Sequence, residues 1–437
     1  MGSDKQVGES ELHLEADDQV IEDGDGSALV GARETVDPAG AETPHTADVI
    51  EPEPEPFVPA GPQPIETWYE ALPETEDGTV HQIRIIRFGE AEARPKAYIQ
   101  SGLHADELPG QLVIRELIKE LTDAAERGLL IGQVVIVPQA NPIGLSQVQG
   151  GYLQGRVEQG SGRNFNRDFP DLAALARRRI VGKFDTEDAA KNIDKIRGGM
   201  AKALNAMEPA DAFEAQQVTL LKHASDADVV LDLHADNEAL LHIYTEPDFW
   251  PEAHDLAAEL DARAVLLCDN SGGSPFDEAC SQPWAKLAKK QASAAIPRAC
   301  FSATVELRSN NDVDPREARR DAIGLYRFLM RRAIVSGMPG ALPRLLCEAT
   351  ALDAMQQVKA PVAGLVIYKL RLGDSVRVGD VIAEIVPLEG DPIEVKAVTD
   401  GKLFARHNQV WAWEGKVIAK IAGAEPLPDR TGHLLTD

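Results

Sequence analysis

The chain has 437 residues, 43% of them hydrophobic, enough for one large core and a smaller second domain. Its formal charge of −27 is concentrated: residues 1–80 hold 21 acidic against 2 basic side chains, so −19 sits there and −8 on the rest, with no basic stripe for nucleic acid or anionic lipid. No run of 18 apolar residues exists, Met1–Ser10 lacks the basic and apolar regions of a secretory signal, and Cys268, Cys280, Cys300 and Cys347 match neither a disulfide framework nor a zinc knuckle, which together point to a cytoplasmic protein with reduced thiols.

Residues 1–64 are rich in Glu, Asp, Pro, Gly and Ala, and the run Glu51-Pro52-Glu53-Pro54-Glu55-Pro56 is stiff and self-repelling. Such a segment buries too little apolar surface to offset its ordering entropy, so it is expected to be a disordered acidic tail, solubilising or partner-binding. From residue 65 to 340 strand-like and helical patterns alternate. The strand-like runs are Gln82–Phe88, Ala97–Ser101, Val134–Pro138, Val229–Leu233, His242–Tyr244, Ala264–Cys268 and Ala303–Leu307, several of them apolar on both faces. Leu108–Arg127 and Pro315–Ser336 repeat apolar residues every three or four positions, as amphipathic helices do. This alternation predicts an α/β fold, a three-layer α/β/α sandwich on a mixed, largely parallel sheet, with its site beyond the carboxyl ends of the strands.

Residues 345–424 read differently, as short strands with close turns in two similar halves. One half runs from Val358-Lys359-Ala360-Pro361 through Gly379-Asp380-Val381-Ile382, the other from Val395-Lys396-Ala397-Val398 through Glu414-Gly415-Lys416-Val417. The duplication predicts a small β-sandwich and resembles the biotinyl/lipoyl-carrier fold. The modified lysine of that fold sits in the hairpin between the halves; here Pro387-Leu388-Glu389-Gly390-Asp391-Pro392 has none, so the domain reads as structural or as a wall limiting access to a site.

Four short elements carry chemistry. The loop after the strand at 97–101 reads Gly102-Leu103-His104-Ala105-Asp106-Glu107, and an imidazole and a carboxylate three apart can converge on one cation; a capping loop at the helix start is the plainer reading of that motif alone. Val229-Val230-Leu231-Asp232-Leu233-His234 is a buried strand that delivers a second histidine to the same rim, completing a His₂Glu set with a fourth position open. Ala303-Thr304-Val305-Glu306-Leu307 ends in a carboxylate, which near a cation is a candidate general base and otherwise a rim ion pair, for instance to Arg308. Gly162-Arg163-Asn164-Phe165-Asn166-Arg167 supplies Arg167 and Asn166 to hold a carboxylate, and Asn164 to orient a metal-bound histidine through its carbonyl oxygen. Arg156 upstream is suited to polarising a carbonyl.

In this order and spacing, His104-x-x-Glu107, Asn166-Arg167, His234 and Glu306 resemble the zinc carboxypeptidase clan over roughly residues 80–340. More closely, they resemble its succinylglutamate desuccinylase/aspartoacylase family, which also carries an appended β-domain. The resemblance implies one zinc ion (Zn2+) per chain held by His104, Glu107 and His234, Glu306 as the base, and Asn166 and Arg167 on the substrate carboxylate. It implies Arg156 at the oxyanion, with Arg163 as the competing choice and a further substrate-binding candidate. Many relatives carry Asp where this chain has Asn164, which removes a charge behind the zinc ligand but keeps an acceptor, and no tyrosine is matched to the family's. The function expected is hydrolysis of amide bonds in small N-acyl amino acids, by a water that zinc and Glu306 activate. The alternatives are a metallocarboxypeptidase acting on peptides and a non-catalytic scaffold. Expected partners are a small amide and neither nucleic acid nor membrane, with a homo-oligomer left open.

Overall fold

The computed structural model describes residues 61–435 apart from 76 and 433; nearly all of the acidic segment expected at 1–64 lies outside the described residues. Nine strands form the main sheet: β1 (Ile65–Ala71), β2 (Gln82–Phe88), β3 (Lys96–Ser101), β4 (Gln133–Val137), β5 (Val229–Asp236), β6 (His242–Thr245), β7 (Ala264–Leu267), β8 (Phe301–Ser309) and β9 (Ala349–Ala351), in the order β1-β2-β4-β3-β5-β8-β6-β7-β9. The centre, β4-β3-β5-β8, is parallel, while β2 joins β4 and β6 joins β8 antiparallel. The sheet is therefore mixed and largely parallel, with helices on both faces.

The two-residue period of the strands divides the core. Ile99 and Leu231 point into the layer with α1 (Pro109–Glu126) and α5 (Pro315–Arg331), where Val113, Leu117 and Leu121 meet Ala322, Leu325 and Phe328. Their neighbours Tyr98 and Val230 point the other way, into α2 (Ala189–Asn205), α3 (Ala212–Ala224) and α4 (Phe276–Lys290), through Met200, Leu221 and Trp284. Aspartates cap three of these helices: Asp188 accepts from Lys191 N, Asp211 from Glu214 N and Asp314 from Arg316 N, each cap worth about 1 kcal/mol.

The C-terminal region is all-β. One sheet contains 356–359, 417–423, 401–406 and 375–376; a second contains 393–396, 381–386, 364–368 and 411–412. The lysine-free turn at 387–392 joins two antiparallel strands of the second. The first sheet is stitched to the α/β region. Ala239 and Glu238, directly after β5, pair with Ala405 and Arg406; Arg406 holds both oxygens of Glu238 at 2.8 and 2.7 Å; and Phe404, Leu352 and Met355 pack with Tyr244 and Leu266. β9, within the range expected for the β-domain, pairs with β7 and belongs to the main sheet. Among the described residues no helix is long and apolar enough to cross a membrane.

Candidate active site

The strand ends of β3, β5 and β8 bring the site together. α1 begins two residues after Glu107 and presses its first turn onto those ends: a Cβ at Gly110 would lie 2.8 Å from the Ser101 Cβ and 3.2 Å from the Leu233 carbonyl oxygen. Only glycine admits that approach, and it lays the 102–107 loop against His234. A second close approach fixes Arg156. The Gly155 carbonyl accepts from Ala105 N at 3.0 Å, and a Cβ at Gly155 would meet Asp106 N at 2.3 Å.

Glu107, 3% exposed, is the hub. Its Oε1 lies 3.0 Å from His104 Nδ1 and accepts from Arg156 at 2.9 Å; its Oε2 lies 2.8 Å from His234 Nδ1 and accepts from Ala235 N at 3.0 Å. The two imidazoles meet edge to face at 5.0 Å. The far nitrogen of each ring is anchored. Asn164 Oδ1 accepts from the Asn166 amide at 2.9 Å, which identifies it as the oxygen, and it lies 2.9 Å from His104 Nε2. Asp232 Oδ2 lies 3.0 Å from His234 Nε2, and its other oxygen accepts from Gln100 Nε2. Each Nε2 therefore carries its proton outward, and in a neutral ring the Nδ1 lone pair faces Glu107.

Two lone pairs and a carboxylate pointed at one another repel unless a proton or cation lies between them. One donor atom from each of His104, Glu107 and His234 lies within 4.8 Å of the others, so the set fits a divalent ion with nitrogen and oxygen ligands. Without an ion, the two rings divide in their ionisation. Burial and the Arg156 guanidinium push His104 down to about 4, keeping it neutral. Burial opposes a charge on His234, but the Asp232 and Glu107 carboxylates outweigh it and raise its pKa. Burial likewise works against the Glu107 carboxylate, and the two histidines outweigh it and hold its pKa low.

Glu306 sits on β8 in register with His234 on β5 and lines the same cavity. Burial, with the Glu107 and Asp236 charges, pushes its pKa up to about 8, against the pull of His234 and Lys420. The rim ion pair weighed for it does not form with Arg308, which binds Asp321 instead. Asn166 and Arg167 also line the cavity. Asn166 Oδ1 accepts from Phe276 N at 2.9 Å at the start of α4, Arg167 donates to the Asn166 carbonyl at 2.8 Å, and the Arg167 stem lies against Gly273. Arg163 is not brought there. It lies over Phe213 at 4.1 Å, donates to Asp211 at 2.6 Å and to Glu158 at 3.1 Å, and is absent from the cavity lining.

Several residues of the site were not singled out from sequence. Asp232, two positions before His234 on one strand face, is recoverable from strand period alone. Lys420, from the β-domain, pairs with Asp236 and lines the cavity; nothing local in its sequence marks it. Tyr244, Glu246 and Asp277 complete the walls.

A family model described as the succinylglutamate desuccinylase/aspartoacylase catalytic domain matches residues 93–332. Among solved structures, a succinylglutamate desuccinylase/aspartoacylase family protein from Shewanella amazonensis SB2B is 25% identical with a TM-score of 0.71, over 82% of this chain and 98% of that one. A second, from Shewanella frigidimarina NCIMB 400, is 22% identical with a TM-score of 0.70, over 83% and 98%. The product-bound ectoine utilization protein EutE (DoeB) from Ruegeria pomeroyi is 17% identical, with a TM-score of 0.58 over 85% and 98%. No protein of curated function matches.

Proposed function

The chain belongs to the succinylglutamate desuccinylase/aspartoacylase family, and from that membership we propose that it is a zinc-dependent deacylase of small N-acyl amino acids. The observation that carries the reading is the convergence of the His104 and His234 Nδ1 atoms on Glu107, with Glu306 in register one strand away. A zinc ion held by His104, Glu107 and His234 would supply Lewis acidity toward the amide carbonyl and toward a water.

The remaining roles fall to this chain's own side chains. Asn166 and Arg167 bind the carboxylate of the amino acid half, a planar fork beside an amide donor. Arg156, its guanidinium 2.9 Å from Glu107, turns toward the substrate's carbonyl oxygen as negative charge develops there. Glu306 takes a proton from the attacking water and returns it to the leaving amine nitrogen, its burial in the cavity wall disfavouring the bare charge and so favouring proton uptake. Asn164 and Asp232 hold the histidine rings in the tautomer that leaves Nδ1 bare.

The β-domain supports a small substrate over a peptide. Leu352 and Lys420 stand in the cavity wall, and a second chamber bounded by Arg406, His407, Trp413 and Lys416 shares Glu107, Arg156 and Asp236 with the first. The test is to load the purified protein with zinc and assay N-acetyl, N-formyl and N-succinyl amino acids beside dipeptides, with metal content measured before and after chelation. Amine release from an N-acyl amino acid, lost on chelation and restored by zinc, is expected. Dipeptide cleavage alone, or turnover unaffected by chelation, would overturn the reading.

A further inference from the structure

The cavity does not end at Glu306. On β8, residues 302, 304 and 306 share one face, so Ser302 and Thr304 continue the Glu306 wall inward beneath α4, and all three line the cavity. Thr304 is two residues from Glu306, a displacement of about 7 Å along the strand, and Ser302 lies about as far again. This inner chamber begins beside the carboxylate clamp. Asn166 accepts from Phe276 N, and the next residue, Asp277, opens into the cavity with the Thr304 hydroxyl beside its carboxylate.

The lining of this inner end is acidic. Glu246, Asp277 and Glu278 are its acidic residues; of the cavity's cations, Arg167 stands at the mouth of this chamber in the carboxylate clamp, while Arg156 and Lys420 are engaged at the other end, with Glu107 and Asp236. Glu278 serves the fold, accepting from Ser271 N and Gln282 Nε2. Asp277 is not accounted for in that way, and Glu246 only in part. Glu246 is 4% exposed; one of its oxygens faces Arg298, and the other has no hydrogen-bond partner among the described residues. Ser302, 2% exposed, has an unpartnered hydroxyl in the same chamber. Buried oxygens left without a donor are costly, and those that line a cavity are most simply explained by a guest that donates to them.

We propose that this chamber receives a cationic side chain, so that the substrate is the N-acyl derivative of an amino acid ending in an ammonium or guanidinium group. The inference rests on the deacylase reading above and specifies its amine half. With the α-carboxylate on Asn166 and Arg167 and the amide beside Glu306, the Asp277–Thr304 level is roughly the reach of a lysine or ornithine side chain. An ammonium there would donate to Asp277 and Thr304, with Glu246 and Ser302 accepting at the deeper end. An acidic side chain would be placed against two carboxylates, a juxtaposition that discriminates strongly.

The experiment compares kcat/KM of the zinc-loaded full chain for Nα-acetyl-L-lysine, Nα-acetyl-L-ornithine, N-acetyl-L-norleucine, N-acetyl-L-glutamine and N-acetyl-L-glutamate, in the wild type and in Asp277→Asn. Calorimetric titration of free L-lysine, L-norleucine and L-glutamate into the wild type runs alongside. A basic substrate is expected to exceed norleucine and glutamine by about tenfold or more, the discrimination a charge-assisted hydrogen bond gives, and Asp277→Asn should collapse that ratio toward one. Equal or better turnover of norleucine, glutamine or glutamate, or a ratio unchanged in Asp277→Asn, overturns the proposal. If no acetyl amino acid is hydrolysed, the panel is repeated with N-formyl and N-succinyl derivatives; if none of these is hydrolysed, the deacylase reading fails and the titration decides this inference separately: L-lysine binding tighter than norleucine and glutamate upholds it, and the reverse order removes it.

Discussion

Lys420 is the charged side chain that the C-terminal sheets place in the cavity wall, and replacing it with methionine isolates what that charge contributes. Its ammonium pairs with Asp236, and the two side chains are 24% and 11% exposed. Breaking a buried ion pair from one side costs about 3–5 kcal/mol when the surviving charge is left alone. Asp236 is not left wholly alone, because Asn237 donates to it from its backbone at 2.8 Å and from its side-chain amide at 3.3 Å. Solvent also reaches the lysine. The cost of Lys420→Met is therefore about 2 kcal/mol, or a fall in Tm of about 2 °C for a chain of this size. Methionine preserves most of the buried stem, so little of this reflects lost packing. The assay is a double-mutant cycle of Lys420→Met and Asp236→Asn followed by thermal or urea unfolding, with a coupling of about 1 kcal/mol or more between the two sites. A Lys420→Met protein that melts within a degree of the wild type, or a cycle that closes additively, would refute the claim that Asp236 depends on this cation.

Four further outcomes are expected. Glu306→Gln should lower kcat by about 10²–10⁴-fold while the protein retains its metal by elemental analysis; turnover near wild type would remove Glu306 as the base. Arg156→Ala should lower kcat about 10²–10³-fold, whereas Arg163→Ala, which breaks contacts to Asp211, Glu158, Ser161, Glu214 and Phe213 and none to the cavity lining, should leave kcat/KM within about twofold and cost at most about 1 kcal/mol of stability; the reverse ranking in steady-state kinetics would exchange the two assignments. Asn164→Ala should weaken metal binding about 10–100-fold in a chelator competition by freeing the His104 ring, and Asn164→Asp should restore it; equal affinity in all three proteins would dismiss the orienting role. Asp228 gives a pH dependence: burial raises its pKa, but the Lys96 amide, Arg197 and Arg94 outweigh burial and hold it below the ordinary 3.8, so its contribution to stability is present above that value and lost as pH falls through the lowered one. Asp228→Asn should flatten the acid limb of a Tm-versus-pH curve, and an unchanged limb would show that other carboxylates govern it.

What could be read from the sequence depended on whether a residue's role is set by its own strand. His234 ends an apolar run, and its place on the rim follows from that run. Glu306 ends another, and because both strands run parallel with His234 opposite Glu306, reading each strand end separately was enough to bring them together. Asn164 was singled out by chemistry, as a short acceptor beside an arginine-rich loop, without its ring being named; the structure places it 2.9 Å from His104. Arg156 and Arg163 could not be told apart, because both sit in one irregular polar stretch. What separates them is the contact of Gly155 with Ala105, on one side, and the pull of Asp211 from the start of α3, on the other, both set by distant chain. The direction of β6 was equally hidden, since an antiparallel partner for β8 is chosen by connections and not by the composition of His242–Thr245.

Those non-local contacts also assign charge to the two ends of the site. Around the His104–Glu107–His234 centre, the side walled by the β-domain carries Arg156, Lys420, Lys416 and Arg406, and the side beneath α4 carries Asp277, Glu278 and Glu246. An amide bond held at the centre would lie along that gradient, with its acyl half toward the cations and its amine side chain toward the carboxylates. On the deacylase reading proposed above, the C-terminal sheets would wall the cavity and, together with Arg156, supply the positive end of the field along which a substrate orients. If that is their role, Lys416→Ala and Lys420→Met should raise KM more for an N-succinyl than for an N-acetyl derivative of the same amino acid, because only the former presents a carboxylate to that end. Equal effects on both acyl groups would mean that the domain acts as a wall alone.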